Sequence, residues 1–199
     1  MSISDTYFTI AAPAVGLFKD KASKFHGYAF PMETEDDLKY YLDEVKKEHP
    51  KARHYCFAYR LGTDDLIFRA NDDGEPSGSA GKPILNVLLS QNLRDVLVIV
   101  VRYFGGTLLG VPGLINAYKM ATIEALHEAT LEERIITEKI VVSFEMQHMN
   151  EVMRIVKKYD LAIFAQDYQE KYILTIEVRL SLYEQIKEEF ESLHFLEVQ

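Results

Sequence analysis

The sequence predicts an α+β protein of two domains, residues 1–135 and 136–199. In the first, the apolar run Val96 to Val101, β-branched except at Leu97, lies between segments of helical periodicity and predicts a strand buried on both faces. After the charged run Glu128 to Arg134, strand and helix patterns follow in the order βαββαβ. That order is typical of a ferredoxin-like domain, so we place the domain junction in the charged run.

Composition narrows the class of protein. The 199 residues are 48% hydrophobic, which is enough for a packed core. A net charge of −9 argues against nucleic-acid binding through overall charge, so such binding requires a local basic patch. The single cysteine, Cys56, excludes an internal disulfide and suits a reducing cytosol. The start MSISDTYFTI lacks the features of a secretory signal and no segment is long and apolar enough to span a membrane, so we expect a cytoplasmic protein.

The N-terminal region predicts strands and then a helix. Residues Tyr7 to Met32 alternate apolar and polar positions, which indicates two or three antiparallel strands. Thr34 is a candidate N-cap with Asp37 three residues later. The helix that follows ends before Pro50. Its apolar residues recur at i, i+3, i+4 and i+7, namely at Leu38, Tyr41, Leu42 and Val45.

A hairpin is predicted next, with strands Arg53 to Leu61 and Leu66 to Arg69 around the turn Gly62 to Asp65. His54 and Cys56 share one strand face, and a Cys/His pair can act as nucleophile and base. Their spacing matches no metal or protease pattern, so Cys56 is interpreted as a small core residue.

Two glycine-rich loops follow. The first, Asp72 to Lys82, opens onto a helix whose apolar residues are Ile84, Leu85, Leu88 and Leu89, a geometry that favours an anion at the helix N-terminus. The second begins where the buried strand ends at Arg102, before a further helix from Gly113 to about Ala129. We therefore predict an anion-binding or nucleic-acid-binding site formed by Lys24, Arg60, Ser77, Gly78, Ser79, Gly81, Lys82, Arg102, Tyr103, Phe104, Gly105 and Gly106.

Three neighbouring carboxylates, Asp72, Asp73 and Glu75, suggest a metal site, but turn capping explains them better. The segment GSAGK lacks the spacing and the Ser/Thr of a P-loop. We predict no metal, cofactor or catalytic residue.

The second domain predicts six elements. They are a strand over Ile140 to Met146, a helix carrying Met149, Val152, Met153 and Val156, strands Leu161 to Gln166 and Tyr172 to Leu180, a helix capped by Ser181, and a last strand over Phe195 to Val198.

The segments DDGEPSGSAGKPIL and RYFGGTLLGVPGLINAY resemble the signature of the YigZ/IMPACT family, as does KARHYCFAYR at the first hairpin strand. The resemblance implies a first domain similar to domain IV of elongation factor G, a ferredoxin-like second domain, and a role in translational control. The sequence departs from the family pattern at Leu108, where Lys is usual, at Pro112, where Gly is usual, and at Asn116, where Arg is usual. Two positive charges are therefore missing, which would weaken contacts to phosphate.

We therefore expect a non-enzymatic, translation-associated protein that recognises an anionic partner, either RNA or a ribosomal surface. One alternative is an enzyme for a small anionic substrate, with Arg102 as clamp and Asp72, Asp73 or Glu75 as base. Another is a protein-interaction module. The sequence leaves the oligomeric state open.

Overall fold

The structure is a computed structural model that describes residues 5–63 and 67–199. These residues divide into two compact units, Tyr7–Arg134 and Ile135–Gln199, and residues 5–6 belong to the second. Each unit packs helices on sheet around its own hydrophobic core. The predicted two-domain α+β class is confirmed.

Among the described residues between Thr6 and Ile135 there are seven strands and three helices. In chain order they are β1 (Thr6–Ile10), β2 (Ala14–Asp20), β3 (Ser23–Pro31), α1 (Asp36–Glu48), β4 (His54–Arg60), β5 (Phe68–Asn71), α2 (Gly81–Ser90), β6 (Val96–Tyr103), α3 (Gly110–His127) and β7 (Leu131–Ile135). Five strands form one sheet in the order β2-β3-β6-β4-β5, with β6 antiparallel to both β3 and β4. Strands β1 and β7 form a separate two-stranded sheet.

Strand β6 is the centre of the first unit and is buried on both faces, as its apolar run predicted. Val96, Val98 and Val100 pack in the cluster that contains α2 and α3. The alternate residues, Leu97, Ile99 and Val101, pack in the cluster that contains the apolar face of α1. Alternation along the strand therefore directs Arg102 to the α2 and α3 side and Tyr103 to the α1 side.

Helix α3 lies directly on β2 and β3 because two paired glycines leave room for its backbone. Gly16 pairs with Gly27 in the β2–β3 ladder. A Cβ on Gly16 would lie 2.3 Å from the Ala125 backbone nitrogen, and one on Gly27 would lie 2.3 Å from the Ala121 carbonyl oxygen. Any larger residue would therefore push the helix off the sheet.

The starts of α3 and α1 differ from the predicted ones. Helix α3 begins at Gly110, because Pro112 is tolerated within a first helical turn. The Asp37 carboxylate accepts the Glu33 and Thr34 amide protons at 2.8 Å each, and no side chain caps α1 at its N-cap residue, Glu35.

The charged run also contains a strand that periodicity did not predict, because Leu131–Ile135 forms β7 and pairs with β1. Strands β4 and β5 form the predicted hairpin. Its predicted turn residues 64–65, and Leu66, lie outside the described residues.

The second unit has the predicted βαββαβ order. Its elements are β8 (Thr137–Phe144), α4 (Met149–Lys158), β9 (Ala162–Tyr168), β10 (Tyr172–Arg179), α5 (Tyr183–Glu191) and β11 (Glu197–Val198). The sheet order is β11-β8-β10-β9 with every pair antiparallel, which is a ferredoxin-like arrangement. Ser181 does not cap α5; it lies in a short 3-10 turn before the helix begins.

We expect fragment 7–134 to fold alone, because it contains both partners of every strand ladder of its main sheet. Fragment 135–199 should be marginal, since few residues share its core and it loses Asp5. The Asp5 carbonyl accepts the Ile136 amide proton at 2.7 Å, and the Asp5 carboxylate pairs with Arg179. Circular dichroism melting of both fragments is the test, and an unfolded 7–134 fragment would contradict it. Independent folding of domains 1–135 and 136–199 stays a prediction.

Candidate functional site

Three strand ends bring basic and aromatic side chains together at one end of the five-stranded sheet. The ladder pairs Lys24 with Tyr103 and Phe25 with Arg102. On the other side of β6, His54 pairs with Arg102. The start of β3, the start of β4 and the end of β6 therefore meet, and Phe104 follows directly. Four predicted site residues, Lys24, Arg102, Tyr103 and Phe104, are adjacent here.

Two cavities lie at this end, and Tyr103 and Phe104 line both of them. One, of about 340 Å³, is also lined by Lys51, Arg53, His54 and Arg102. The other, of about 420 Å³, is also lined by Ala22, Lys24, His26 and His49. Among the described residues that line either cavity there is no carboxylate. We use the term cationic surface for Lys24, Lys51, Arg53, Tyr103, Phe104 and the three histidines.

The two aromatic residues of the cationic surface are held differently. The Tyr103 hydroxyl lies 3.0 Å from His49 Nδ1 and its ring meets the His26 ring edge-on, so the ring is fixed. Phe104 is 57% exposed, and the Arg102 guanidinium lies 5.6 Å from its ring centroid. Phe104 therefore presents an open apolar ring beside a cation, which is suited to stacking.

His26 and His49 form a compact pair in contact with the Tyr103 ring. The His26 and His49 ring centroids are 4.9 Å apart, and His49 Nε2 lies 2.5 Å from the Tyr28 hydroxyl and 3.7 Å from a Glu48 oxygen. Burial, and then the charges of His49 and Lys24, lower the pKa of His26. His26 is therefore neutral at neutral pH, and the fixed positive charge comes from the lysines and arginines.

Arg102 differs from the free rim cation that the sequence suggested. It is 8% exposed, and its Nη1 donates to Glu75 Oε1 at 2.7 Å. The Tyr118 hydroxyl donates to the same oxygen at 2.8 Å, and burial raises the pKa of Tyr118. Arg102 is thus mainly a buried ion-pair partner whose guanidinium reaches the cavity wall.

Several amides of the first glycine-rich loop are also already occupied. Asp72 Oδ2 accepts the Gly78 amide proton at 2.8 Å, while Asp72 Oδ1 accepts those of Ala80 at 3.0 Å and Gly81 at 2.8 Å. The predicted helix N-terminus is real, but the chain's own carboxylate caps it. An external anion would have to displace Asp72 there.

The other predicted residues lie apart from this end of the sheet or have structural contacts. Arg60 is buried at the opposite end of β4 and donates to the Leu93 carbonyl at 3.1 Å. Lys82 is exposed on the first turn of α2, next to a different cavity. Ser79 is buried and donates to the Pro76 carbonyl at 2.6 Å, whereas Ser77 is exposed.

The second glycine-rich loop supports the cationic surface from behind. The Gly105 amide donates to the Ser23 hydroxyl at 3.1 Å, and a Cβ on Gly105 would lie 2.1 Å from the Ala22 carbonyl carbon. Gly106 has a φ of +86°, which favours glycine. Neither Leu108, which is 81% exposed, nor Asn116 on α3 lines the two cavities.

The three acidic residues of the first glycine-rich loop all have contacts within the protein. Asp72 caps α2, Glu75 pairs with Arg102, and Asp73 Oδ2 accepts the Tyr55 amide proton at 2.7 Å. Within residues 5–63 and 67–199, no group of three or more His, Cys, Asp or Glu side chains is arranged to hold a metal ion. The same residues include no helix long and apolar enough to cross a membrane.

Cys56 is a core residue, as predicted. It is fully buried in the cluster with α2 and α3, and its Sγ donates to the Asp72 carbonyl at 2.9 Å. Burial raises the pKa of the Cys56 thiol, so the nucleophilic thiolate is disfavoured. His54 Nδ1 lies instead 2.9 Å from the Asp73 carbonyl oxygen.

Sequence reasoning missed Lys51, Arg53, His26 and His49. Lys51 and Arg53 lie in the segment between α1 and β4, where the signal was a cluster of basic residues directly before a strand. The histidines gave no sequence signal, because only the β3–β6 register and the end of α1 bring them together.

Comparison with known proteins agrees with the motifs. The Impact N-terminal domain family matches residues 21–126. The IMPACT family member YvyE of Bacillus subtilis (strain 168) is 40% identical over 129 residues, which cover 65% of this chain but only 59% of that protein, less than two thirds of its length. The IMPACT family member YigZ of Escherichia coli (strain K12) is 30% identical over 174 residues, covering 86% and 85% of the two chains.

A solved structure described as a crystal structure of an hypothetical protein covers 98% of this chain and 97% of its own, with a TM-score of 0.72 and 27% identity. The family match, the two relatives and this structure all support the resemblance seen in the glycine-rich motifs. The chain belongs to the YigZ/IMPACT family.

Proposed function

We propose that this protein is a cytoplasmic, non-enzymatic, translation-associated regulator that binds RNA, free or on the ribosome, through its cationic surface. The YigZ/IMPACT family is tied to translational control, and membership of that family supports the translational part. The chemistry of the cationic surface supports an anionic partner.

The concentration of positive charge at one end of the sheet carries the proposal. Lys24, Lys51 and Arg53 are exposed, and no carboxylate of the described residues lies within 4.0 Å of their charged groups. The chain as a whole carries a charge of −9, so three unpaired cations around two cavities are a local exception. Flexible cations of this kind contact phosphate oxygens, and the exposed Phe104 ring offers a stacking face for a base.

In this proposal the glycine-rich loops act indirectly. The first loop places Glu75 against Arg102, and the second brings Phe104 to the cavity rim through the close approach of Gly105 to Ala22. The cleft amides do not bind the ligand, because Asp72 satisfies those of Gly78, Ala80 and Gly81.

Binding to single-stranded RNA should show a modest salt dependence. Three phosphate contacts predict a slope of about −2 in a plot of log affinity against log salt concentration. Fluorescence anisotropy with a labelled oligouridylate of about 12 nucleotides, at four or more salt concentrations, measures it.

The double variant Lys51→Gln/Arg53→Gln should reduce the slope to about −0.7 and weaken binding at low salt. The matched control is Arg154→Gln/Lys157→Gln, which removes an exposed arginine and an exposed lysine from α4. Equal losses in the two double variants would mean that binding follows total charge. An absence of RNA binding by the wild-type protein at low salt would contradict the proposal and favour a protein partner.

A further inference from the structure

A cavity separate from the cationic surface lies between α2 and α3 and has a volume of about 510 Å³. Helix α2 contributes Lys82, Asn86 and Ser90, which recur every four residues and so follow one helical face. Helix α3 contributes Ile115 and Lys119, which are one turn apart. A volume of this size lies within the range of small-molecule sites.

The cavity has an apolar wall between its polar groups. Pro83 and Val87 lie among the residues that line it from α2, and both are buried. Ile115 faces them from α3 and remains 40% exposed. A ligand would therefore gain from covering this wall, because the protein itself leaves Ile115 partly in contact with water.

The charged side chains that line the cavity, Lys82 and Lys119, have the same sign. Among the described residues, no carboxylate lies within 4.0 Å of the ammonium group of Lys82 or Lys119. No Asp or Glu of the described residues lines the cavity. In a chain with more acidic than basic residues, two unpaired lysines beside an apolar wall complement a molecule that has one anionic end and one apolar end.

We propose that this cavity binds a small amphiphilic acid, with a carboxylate or phosphate group near Lys82 and Lys119 and an apolar body against Pro83, Val87 and Ile115. The occupant is a small molecule, because the site is a concave pocket of limited volume whose cations come from two helices. The capped N-terminus of α2 plays no part, since Asp72 already satisfies its amides.

The test uses three probes on the full-length protein: 4-phenylbutyrate, its neutral analogue 4-phenyl-1-butanol, and inorganic phosphate. Amide chemical shifts from ¹H–¹⁵N spectra should change saturably with 4-phenylbutyrate at Lys82, Asn86 and Ile115, with a dissociation constant of about a few millimolar or tighter. The alcohol should bind about fivefold more weakly, and phosphate more weakly still.

Two variants separate charge from apolar contact. Lys82→Gln/Lys119→Gln should lower the affinity for 4-phenylbutyrate by about fivefold, to that of the alcohol, and should leave the affinity for the alcohol unchanged. Ile115→Ser, at a partly exposed position, should lower the affinity for both organic probes. Lys39→Gln/Lys157→Gln is the matched control and should change neither.

Three results would overturn the proposal. The first is the absence of saturable shifts at this cavity, and the second is equal affinities for the acid and the alcohol. The third is a phosphate affinity equal to that of the acid. RNA binding by Lys82→Gln/Lys119→Gln should remain normal, so failure here is distinguishable from failure of the proposed RNA surface.

Discussion

Arg102→Ala should lower the free energy of unfolding by about 3 to 5 kcal/mol, because it leaves the Glu75 carboxylate buried without its ion-pair partner. The Glu75 side chain is only 4% exposed. In the variant, its Oε1 would keep the hydrogen bond from the Tyr118 hydroxyl but lose the one from Arg102. Chemical denaturation at pH 7 measures the loss.

The double variant Arg102→Met/Glu75→Leu separates the pair from the space that it fills. Replacing both charges by apolar residues of similar size should restore much of the stability, since an apolar pair needs no desolvated charge. Two results would contradict this explanation. One is an Arg102→Ala variant with the same free energy of unfolding as the wild type, and the other is a double variant that is no more stable than the single one.

Asp72→Ala should lower the free energy of unfolding by about 2 to 4 kcal/mol, because three backbone amides lose their acceptor. These amides, on Gly78, Ala80 and Gly81, form the end of the loop and the first turn of α2. Asp72→Asn should cost less, since the Asn carbonyl oxygen can still accept from Ala80 and Gly81. Thermal and denaturant unfolding would measure both variants.

Asp36→Ala is the control for Asp72→Ala. Asp36 is an exposed carboxylate in the first turn of α1, so its loss removes a favourable charge and should cost about 0.3 to 1 kcal/mol. Equal losses in the two variants would show that Asp72 acts only as a helix-dipole charge. A stable Asp72→Ala that gains phosphate affinity would show that the loop amides form an anion site once uncapped.

Local patterns predicted most of the fold because the relevant forces act along the chain. The buried strand β6, the helix after the first glycine-rich loop and the βαββαβ order each follow from the spacing of apolar residues. Strand β7 escaped prediction because its residues are charged and it forms only by pairing with β1, far away in sequence. Thr34 and Ser181 were wrong as caps, because α1 begins two residues after Thr34 and Ser181 lies inside the short 3-10 turn that precedes α5.

The candidate site was harder to predict, because burial and ion pairing depend on contacts across the fold. Arg102 follows a buried strand, and nothing local shows that Glu75 approaches it. The open amides of the glycine-rich loop are typical of anion sites, yet Asp72 at the start of the same loop reaches them. Lys51 and Arg53 contribute the exposed charge, and only the register of three strands brings them beside Lys24, Tyr103 and Phe104.

Chemical-shift mapping with unlabelled oligouridylate tests the central claim most directly, because it locates the RNA without changing the protein. The amide signals of Lys24, Arg53, Tyr103 and Phe104 should shift together and saturably, while those of Lys82 and Lys119 stay fixed. Shifts that centre on α2 and α3, or on the second unit, would contradict the assignment of RNA binding to the cationic surface.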